Sequence, residues 1–302
     1  MRPVLLVIAG PTASGKTAAA IRAAKAFGCS VVSADSRQLF REMPIGTAAP
    51  STEEQDGVPH YFIASHPVQE TYDAGRYETE ALGLLEKLFT ENPVQILCGG
   101  SGLYIDALCN GFDELPSRDE NVRSELQQLY GEGGLEALQK RLQQLDPEHY
   151  AAMDIRNPHR LMRALEVCLV SGKPYSQQRS GKSKERFFRV IKVALQLDRE
   201  ELYERINRRV DAMMKAGLLD EVKDLLPYRS HNALQTVGYK ELFDHLEGRY
   251  DLAAAVALIK QHTRNFARRQ LTWLRRDKAI TWFDTKQTDE MISWLQEQVL
   301  KT

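Results

Sequence analysis

Short apolar runs and longer amphipathic stretches alternate along the first third of the chain. Val4 to Ala9 is apolar throughout, as a strand covered on both faces requires. Ala18 to Phe27 then reads as a helix, and Cys29 to Ala34 as a second buried strand. Pro44 to Pro59 is polar and loop-like, and His60 to Ser65 reads as a third strand. From Asp73 to Phe89, the residues Ala81, Leu84, Leu85 and Leu88 recur at helical spacing on one face. Val94 to Cys98 is a further buried strand that runs into Gly99-Gly100-Ser101-Gly102. Strands alternating with helices predict an α/β fold, a parallel sheet covered by helices on both faces.

The alternation stops at Leu115-Pro116-Ser117. From Asp119 to about Ser171 only helical patterns follow: Val122, Leu126 and Leu129 form one stripe, and Leu135, Leu138, Leu142 and Leu145 another. Asn157-Pro158 combines an N-cap residue with proline at the first helical position. The helix it opens carries Leu161, Leu165 and Cys168 on one side and Arg160 and Arg163 on another. That basic face is either simply solvated or turned toward a partner. Ser171 to Arg186 is polar and basic (Lys173, Arg179, Lys182, Lys184, Arg186) and reads as a mobile loop. The expected organisation is a first core segment over 1–117, an all-helical insertion over 118–186, and a return to the core over 187–302.

In that last part Phe187 to Leu197 alternates toward strand, and Asp198 follows it. Asp198 suits either a metal-holding acid at a strand end or the N-cap of a helix. Helices follow over Glu200–Ala216, Leu218–Leu226 and Leu252 to about Arg276. On the long one, Ile259, Phe266 and Trp273 share a stripe, and Lys260, Arg264, Arg268 and Arg275 share another. A basic ridge of this kind suits a phosphate backbone. Ile280–Phe283 reads as a final strand and Asp289–Leu300 as a closing helix.

Composition narrows the class. The 302 residues leave room for two domains at about 150 residues each, and 43% hydrophobic content is ordinary for a globular chain. No apolar run approaches the ~20 residues of a membrane span, and Met1-Arg2-Pro3 leads straight into a strand without a signal-peptide pattern. Cys29, Cys98, Cys109 and Cys168 show no metal-ligand spacing and read as reduced thiols of a cytosolic protein. Net charge is −1 but uneven: −6 over 1–117 (8 Lys/Arg, 14 Asp/Glu), +4 over 118–192 (14 and 10), and +1 beyond (18 and 17). The basic balance of the middle segment allows a polyanionic partner there.

The chemistry sits first in Gly10-Pro11-Thr12-Ala13-Ser14-Gly15-Lys16-Thr17, between the first strand and the first helix. A glycine-flanked loop ending in Lys-Thr matches the P-loop pattern, which cradles a diphosphate or triphosphate. Gly10 and Gly15 let backbone N–H groups turn inward toward an anion, and the following helix adds its positive end. Lys16 supplies a point charge, and the Thr17 hydroxyl is a ligand for Mg²⁺. Asp35 lies just past the second strand. There it faces the ligand crevice of a parallel sheet or caps a helix; position alone favours neither.

Several stretches together carry a family likeness. They are Gly10–Thr17, Ser33-Ala34-Asp35-Ser36-Arg37-Gln38, Gly99-Gly100-Ser101-Gly102-Leu103-Tyr104, Arg160-Leu161-Met162-Arg163-Ala164-Leu165-Glu166-Val167, Val237-Gly238-Tyr239-Lys240-Glu241 and Arg268-Arg269-Gln270-Leu271-Thr272-Trp273-Leu274-Arg275. In order and spacing the chain resembles the bacterial tRNA dimethylallyltransferases, also called tRNA isopentenyltransferases, over nearly its whole length. The P-loop followed by Ser-Ala-Asp-Ser-x-Gln is the specific part of the match.

The resemblance implies a P-loop NTPase-like core with a helical insertion that grips the anticodon stem-loop of tRNA. Dimethylallyl diphosphate, rather than ATP, would occupy the P-loop, with Mg²⁺ assisting. The prenyl group would go to the exocyclic amine of the adenosine 3′-adjacent to the anticodon, flipped out to meet the donor. Lys16, Thr17, Asp35 and Ser101 become the catalytic candidates, with Asp35 as the base that orients the amine and takes its proton. By the same correspondence Asp35, Ser36, Arg37, Gln38, Ser101, Arg123 and the segment His159, Arg160, Leu161, Met162, Arg163 contact tRNA, as do Thr236–Glu241, Arg268 and Arg275. Ser101 stands where the family usually carries Thr, and His159 where it carries Gln. A cytoplasmic monomer without membrane contact is expected. Read from the P-loop and Asp35 alone, a small-molecule kinase is the alternative, and it leaves the basic insertion without a role.

Overall fold

The computed structural model describes residues 2–113, 115–179, 181 and 183–301. They fall into two compact units, one formed by 1–110 with 185–302 and the other by 111–184.

The larger unit begins with β1 (Val4–Ala9), α1 (Lys16–Phe27), β2 (Val31–Ala34), α2 (Pro44–Thr47), β3 (His60–Tyr61), α3 (Ala74–Glu91), β4 (Val94–Gly99) and α4 (Gly102–Asn110). After the second unit it continues with β5 (Arg189–Gln196), α9 (Arg199–Lys215), α10 (Leu218–Asp224), α11 (Tyr239–Leu246), α12 (Leu252–Leu274), β6 (Thr281–Asp284) and α13 (Thr288–Leu300). Among the described residues one parallel sheet has the order β3-β2-β4-β1-β5-β6. Leu6, Ile8, Ile96 and Val193 are buried with Ala20 and Ala23 of α1 and Leu295 of α13. Burial on both faces is why β1 is apolar without alternation and β4 is apolar but for the buried Gln95.

Register does the positioning. Gly99 at the end of β4 is the partner both of Ala9 at the end of β1 and of Ala34 at the end of β2. Three strands therefore stop level with one another, and the loops that leave them emerge side by side. At about 4.8 Å per strand step, the ends of β1 and β2 stand about 10 Å apart. The Tyr77 hydroxyl of α3 donates to the Ser33 carbonyl at 2.9 Å and pins the end of β2.

Several expected bounds shift for identifiable reasons. The helix after the P-loop starts at Lys16, so Lys16 and Thr17 belong to its first turn. Cys29 is drawn into the C-cap of α1, its N–H donating to the Ala24 carbonyl, so β2 starts only at Val31. β3 is two residues rather than six, because Phe62 (φ 61°) and Ala64 (φ 46°) turn left-handed. Asp198 accepts the N–H groups of Glu200 and Glu201 as the N-cap of α9. Arg186 is not part of a mobile loop: it forms a 2.7 Å ion pair with Glu78 and donates to the Ala107 and Leu108 carbonyls. Such a buried charge is tolerated because each face of the guanidinium is met.

The second unit contains α5 (Glu120–Leu145), α6 (Pro147–Ala152), α7 (Pro158–Ser171) and α8 (Tyr175–Gln178). Its core is Leu126, Leu138, Leu142, Leu161 and Leu165. Gly134 (φ 62°) breaks the long stretch into two helices, which is why two separate leucine stripes occur within it. Asn157 caps α7 through the Arg160 N–H. The stretch 171–186 thus contains a helical turn, while Lys182 lies outside the described residues.

The close fit of β4 to β2 gives a stability test. A Cβ on Gly99 would stand 2.3 Å from the Ala34 carbonyl oxygen, whereas a Cβ on Gly83, inside α3, meets nothing within 4 Å. In urea unfolding, Gly99→Ala is expected to lose about 1–3 kcal/mol, and Gly83→Ala to gain about 0.5–1 kcal/mol.

Candidate active site

The loop after β1 is built for an anion. Ala13 (φ 62°) and Gly15 (φ 82°) are both left-handed, which turns the successive amides to one side. Holding a non-glycine residue so costs about 1–2 kcal/mol. The Ser14 N–H closes onto the Pro11 carbonyl at 3.2 Å, and the Lys16 ammonium donates to the same oxygen at 3.2 Å. Gly10 leaves room for this turn: a Cβ there would come within 2.6 Å of Ser14 Oγ. The first intrahelical bond of α1 runs from the Ala19 N–H to the Gly15 carbonyl, so the N–H groups of Lys16, Thr17 and Ala18 have no helical acceptor. No side chain caps them, whereas Asp or Asn side chains cap α3, α5, α7, α9 and α12.

Asp35 does not cap a helix: the residues after it form a turn, and α2 begins only at Pro44. The Asp35 Oδ1 accepts the N–H groups of Arg37 (2.9 Å) and Gln38 (3.3 Å), closing the turn after β2, and the residue also lines the cavity that holds Lys16 and Thr17. Ser101 Oγ accepts the Ser36 N–H at 2.9 Å and donates to Ser36 Oγ at 3.2 Å, tying the loop after β4 to the loop after β2. Gln270 of α12 ties the other two. Its Oε1 accepts the Thr12 N–H at 2.9 Å, and its Nε2 donates to the Gly100 carbonyl at 2.8 Å. Gly100 and Gly102 permit this approach, since a Cβ would fall 2.3 Å from Gln270 Nε2 and 2.2 Å from the Trp273 ring.

The cavity measures about 730 Å³. Its lining includes the cations Lys16, Arg37, Arg209, Lys240 and Arg269 and the carboxylates Asp35, Glu241 and Asp244. Lys16 and Arg209 bond to the carbonyls of Pro11 and Thr47, so dipoles rather than a bonded carboxylate meet both charges. Burial lowers the Lys16 pKa below that of an ordinary lysine, with Asp35 opposing and Arg209 adding to the shift. Burial likewise lowers the Arg209 pKa against the pull of Asp35. Both groups gain from an anion. The apolar part of the wall comes from Val210, Met213, Leu218, Val237, Leu258 and Ile259.

The model of the family described as IPP transferase matches residues 38–277 of the chain. The tRNA dimethylallyltransferase 1 of Bacteroides thetaiotaomicron is 48% identical over 298 residues, covering 99% of this chain and 97% of the relative. The chain belongs to the IPP transferase family. A tRNA dimethylallyltransferase of Flavobacterium johnsoniae is also 48% identical, over 302 residues and 98% of each chain. Among solved structures, the full-length tRNA isopentenylpyrophosphate transferase of Bacillus halodurans superposes with a TM-score of 0.74 at 35% identity, over 99% of this chain and 97% of the other. A eukaryotic dimethylallyltransferase acting on tRNA superposes with a TM-score of 0.79 at 26% identity, over 94% and 74%.

In this IPP transferase the expected site residues divide into groups. Lys16, Thr17, Asp35, Ser36, Arg37, Gln38 and Ser101 line one cavity with Thr12. Within it, Arg37 is spent on the Asn232 and Ala233 carbonyls, and Gln38 on the Thr47 and Ala48 carbonyls. Arg123 and Arg163 belong to the second unit, where both pair with the buried Glu166, at 3.6 and 2.9 Å. Leu161 and Met162 are buried in that unit's core, so His159 and Arg160 are the exposed side chains of the expected contact segment. Arg268 and Arg275 are exposed on α12 and lie outside the cavity lining. The ridge they were read into is divided: Lys260 pairs with Asp211 at 2.6 Å and Arg264 donates to Asn207 at 2.8 Å, both on α9.

Three features were not read from the sequence. Arg209 reaches the cavity from α9, where nothing distinguishes it from neighbouring arginines. Glu221 accepts the N–H groups of Ile45 and Gly46 and the Tyr239 hydroxyl, fixing the wall around Thr47. Glu241 ends the expected Thr236–Glu241 segment, which lines the cavity, but its pairing was not foreseen: buried, it accepts the Gly238 N–H and holds His262 Nδ1 at 2.5 Å, with both residues on the cavity wall. Gln270 carried a readable signal, a polar residue on the inward side of a helix.

Gln270→Leu keeps the bulk and removes both bonds, leaving the Thr12 N–H and the Gly100 carbonyl unmatched. A loss of about 1–3 kcal/mol in unfolding free energy should accompany a roughly tenfold weaker affinity for inorganic pyrophosphate, read by calorimetry.

Proposed function

We propose that the chain transfers the dimethylallyl group of dimethylallyl diphosphate to N6 of the adenosine 3′-adjacent to the anticodon in tRNA, releasing diphosphate. The observation that carries this reading is the meeting, in one cavity of an IPP transferase family member, of an uncapped anion loop and the Asp35 carboxylate. The residues of the cavity suit the chemistry step by step. The bond between C1 of the donor and its bridging oxygen breaks, and the electron pair leaves with the diphosphate. The P-loop amides, Lys16 and Arg209 stabilise that departing charge. N6 of adenine forms the new bond to C1. Its lone pair is delocalised into the ring, so Asp35 orients the amine and takes the proton that N6 loses.

Mg²⁺ fits this donor set. No trio of His, Cys, Asp or Glu among the described residues could hold a metal alone, but Mg²⁺ commonly binds through substrate phosphates, waters and one or two protein oxygens. The Thr17 hydroxyl is the protein oxygen at hand, and the ion would add positive charge to the leaving diphosphate. The second unit, with Arg160 and His159 on its surface, would grip the anticodon stem-loop, where a flipped base costs least because it is unpaired. The same reading makes the protein a cytoplasmic monomer. No helix among the described residues is long and apolar enough to cross a membrane.

Incubated with dimethylallyl diphosphate, Mg²⁺ and unmodified tRNA, the protein should yield tRNA whose anticodon-adjacent adenosine gains one dimethylallyl group by nucleoside mass analysis. AMP in place of tRNA should react poorly. Unchanged tRNA mass, or ATP consumed with a small acceptor instead, defeats the reading. Asp35→Ala should lower the rate by about 10²–10⁴-fold while tRNA affinity stays within a few-fold, and full activity in this variant would remove Asp35 as the base.

A further inference from the structure

The stripe of α12 that runs through Ile259, Phe266 and Trp273 contains an anomaly. Ile259 is 2% exposed, and Trp273 is packed against Gly102, but Phe266 between them is 38% exposed. Phe266 lines the reaction cavity, one helical turn from Gln270 and so from the clasp between the P-loop and the glycine loop after β4. The Arg269 guanidinium sits 5.7 Å from the centre of its ring. A solvent-facing aromatic ring backed by a guanidinium is the pairing with which proteins hold unstacked bases.

The occupant can be narrowed further. A five-carbon prenyl tail is served by the aliphatic wall from Val210, Met213 and Leu258, and the guanidinium against the phenyl ring would oppose the positive charge that C1 gains as the diphosphate leaves. A diphosphate is served by Lys16 and the loop amides. A purine, planar and π-rich, is the ligand that an open phenyl face matches. Resting on the functional reading above, we propose that Phe266, with Arg269 against it, is the stacking platform on which the extruded adenine lies during transfer. The ring would set the plane of the base, and thereby direct N6 toward the donor carbon.

The test uses the full chain and an anticodon stem-loop RNA in two forms. With the natural adenosine, Phe266→Leu should raise KM for the RNA about tenfold and leave KM for dimethylallyl diphosphate within about twofold. With 2-aminopurine at the target position, the flipped base is a reporter, and Phe266→Trp should quench its emission in the complex well below that of Phe266→Leu. Because the side chain is exposed, both variants should keep the wild-type unfolding midpoint. Equal emission from the two complexes, or an RNA KM unmoved in Phe266→Leu, overturns the platform. So does a change confined to the donor KM, which would assign the ring to the prenyl tail. A wild-type protein that neither binds nor modifies the stem-loop overturns the functional reading and the platform together, whereas wild-type turnover with indifferent Phe266 variants overturns the platform alone.

Discussion

The site depends on one side-chain amide. Gln270 accepts a hydrogen bond from the backbone of the P-loop with its Oε1 and donates one to the backbone of the glycine loop with its Nε2. An amide does both at once from two separate atoms, without carrying charge, and so can join two backbones. A carboxylate would repel the anion that the loop is shaped to receive, and an ammonium could not accept from Thr12. Because the bonds are buried and the glycines leave no slack, the two loops move as one body with α12. The helix that carries this amide also supplies Ile259, His262, Phe266 and Arg269 to the cavity wall, so the anion end and the rest of the cavity are referenced to the same rigid rod.

Electrostatics complete what geometry begins. Elsewhere in the chain, charges have been neutralised locally: Arg186 by Glu78, Lys192 by Asp277, and Arg123 with Arg163 by Glu166. In the cavity, Lys16 and Arg209 are desolvated without such a bonded counter-ion, and the start of α1 has no cap. Folding has therefore left free energy to be recovered by an anionic ligand. In the proposed reaction, a diphosphate leaving group would recover more of it as negative charge develops, which is the direction a transferase needs.

Much of this was legible beforehand. The apolar runs gave β1 and β4, and the glycine spacing gave the P-loop, because both are local consequences of burial and backbone freedom. The over-long β3 arose because nothing in the residues 62–64 announces left-handed Phe62 and Ala64. The reading of Arg186 as a loop cation failed for another reason: composition shows charge, and only the tertiary structure shows Glu78 waiting for it. Sequence spacing likewise could not show that, within the basic ridge of α12, Lys260 and Arg264 point to partners on α9 while Arg268 and Arg275 stay exposed. Arg209 and the role of Gln270 are contacts across long separations in the chain. At Asp35 the helix cap that position allowed is absent; its carboxylate closes a turn instead, and the residue borders the cavity.

The level endings of β1, β4 and β2 act as a ruler. The strand ends that carry the P-loop and Asp35 are two backbone hydrogen-bonding steps apart, a length that ladder geometry sets. In the proposed reaction, substitutions in the loops would change how tightly a donor is held, while the starting separation of the two loops is written into the sheet itself.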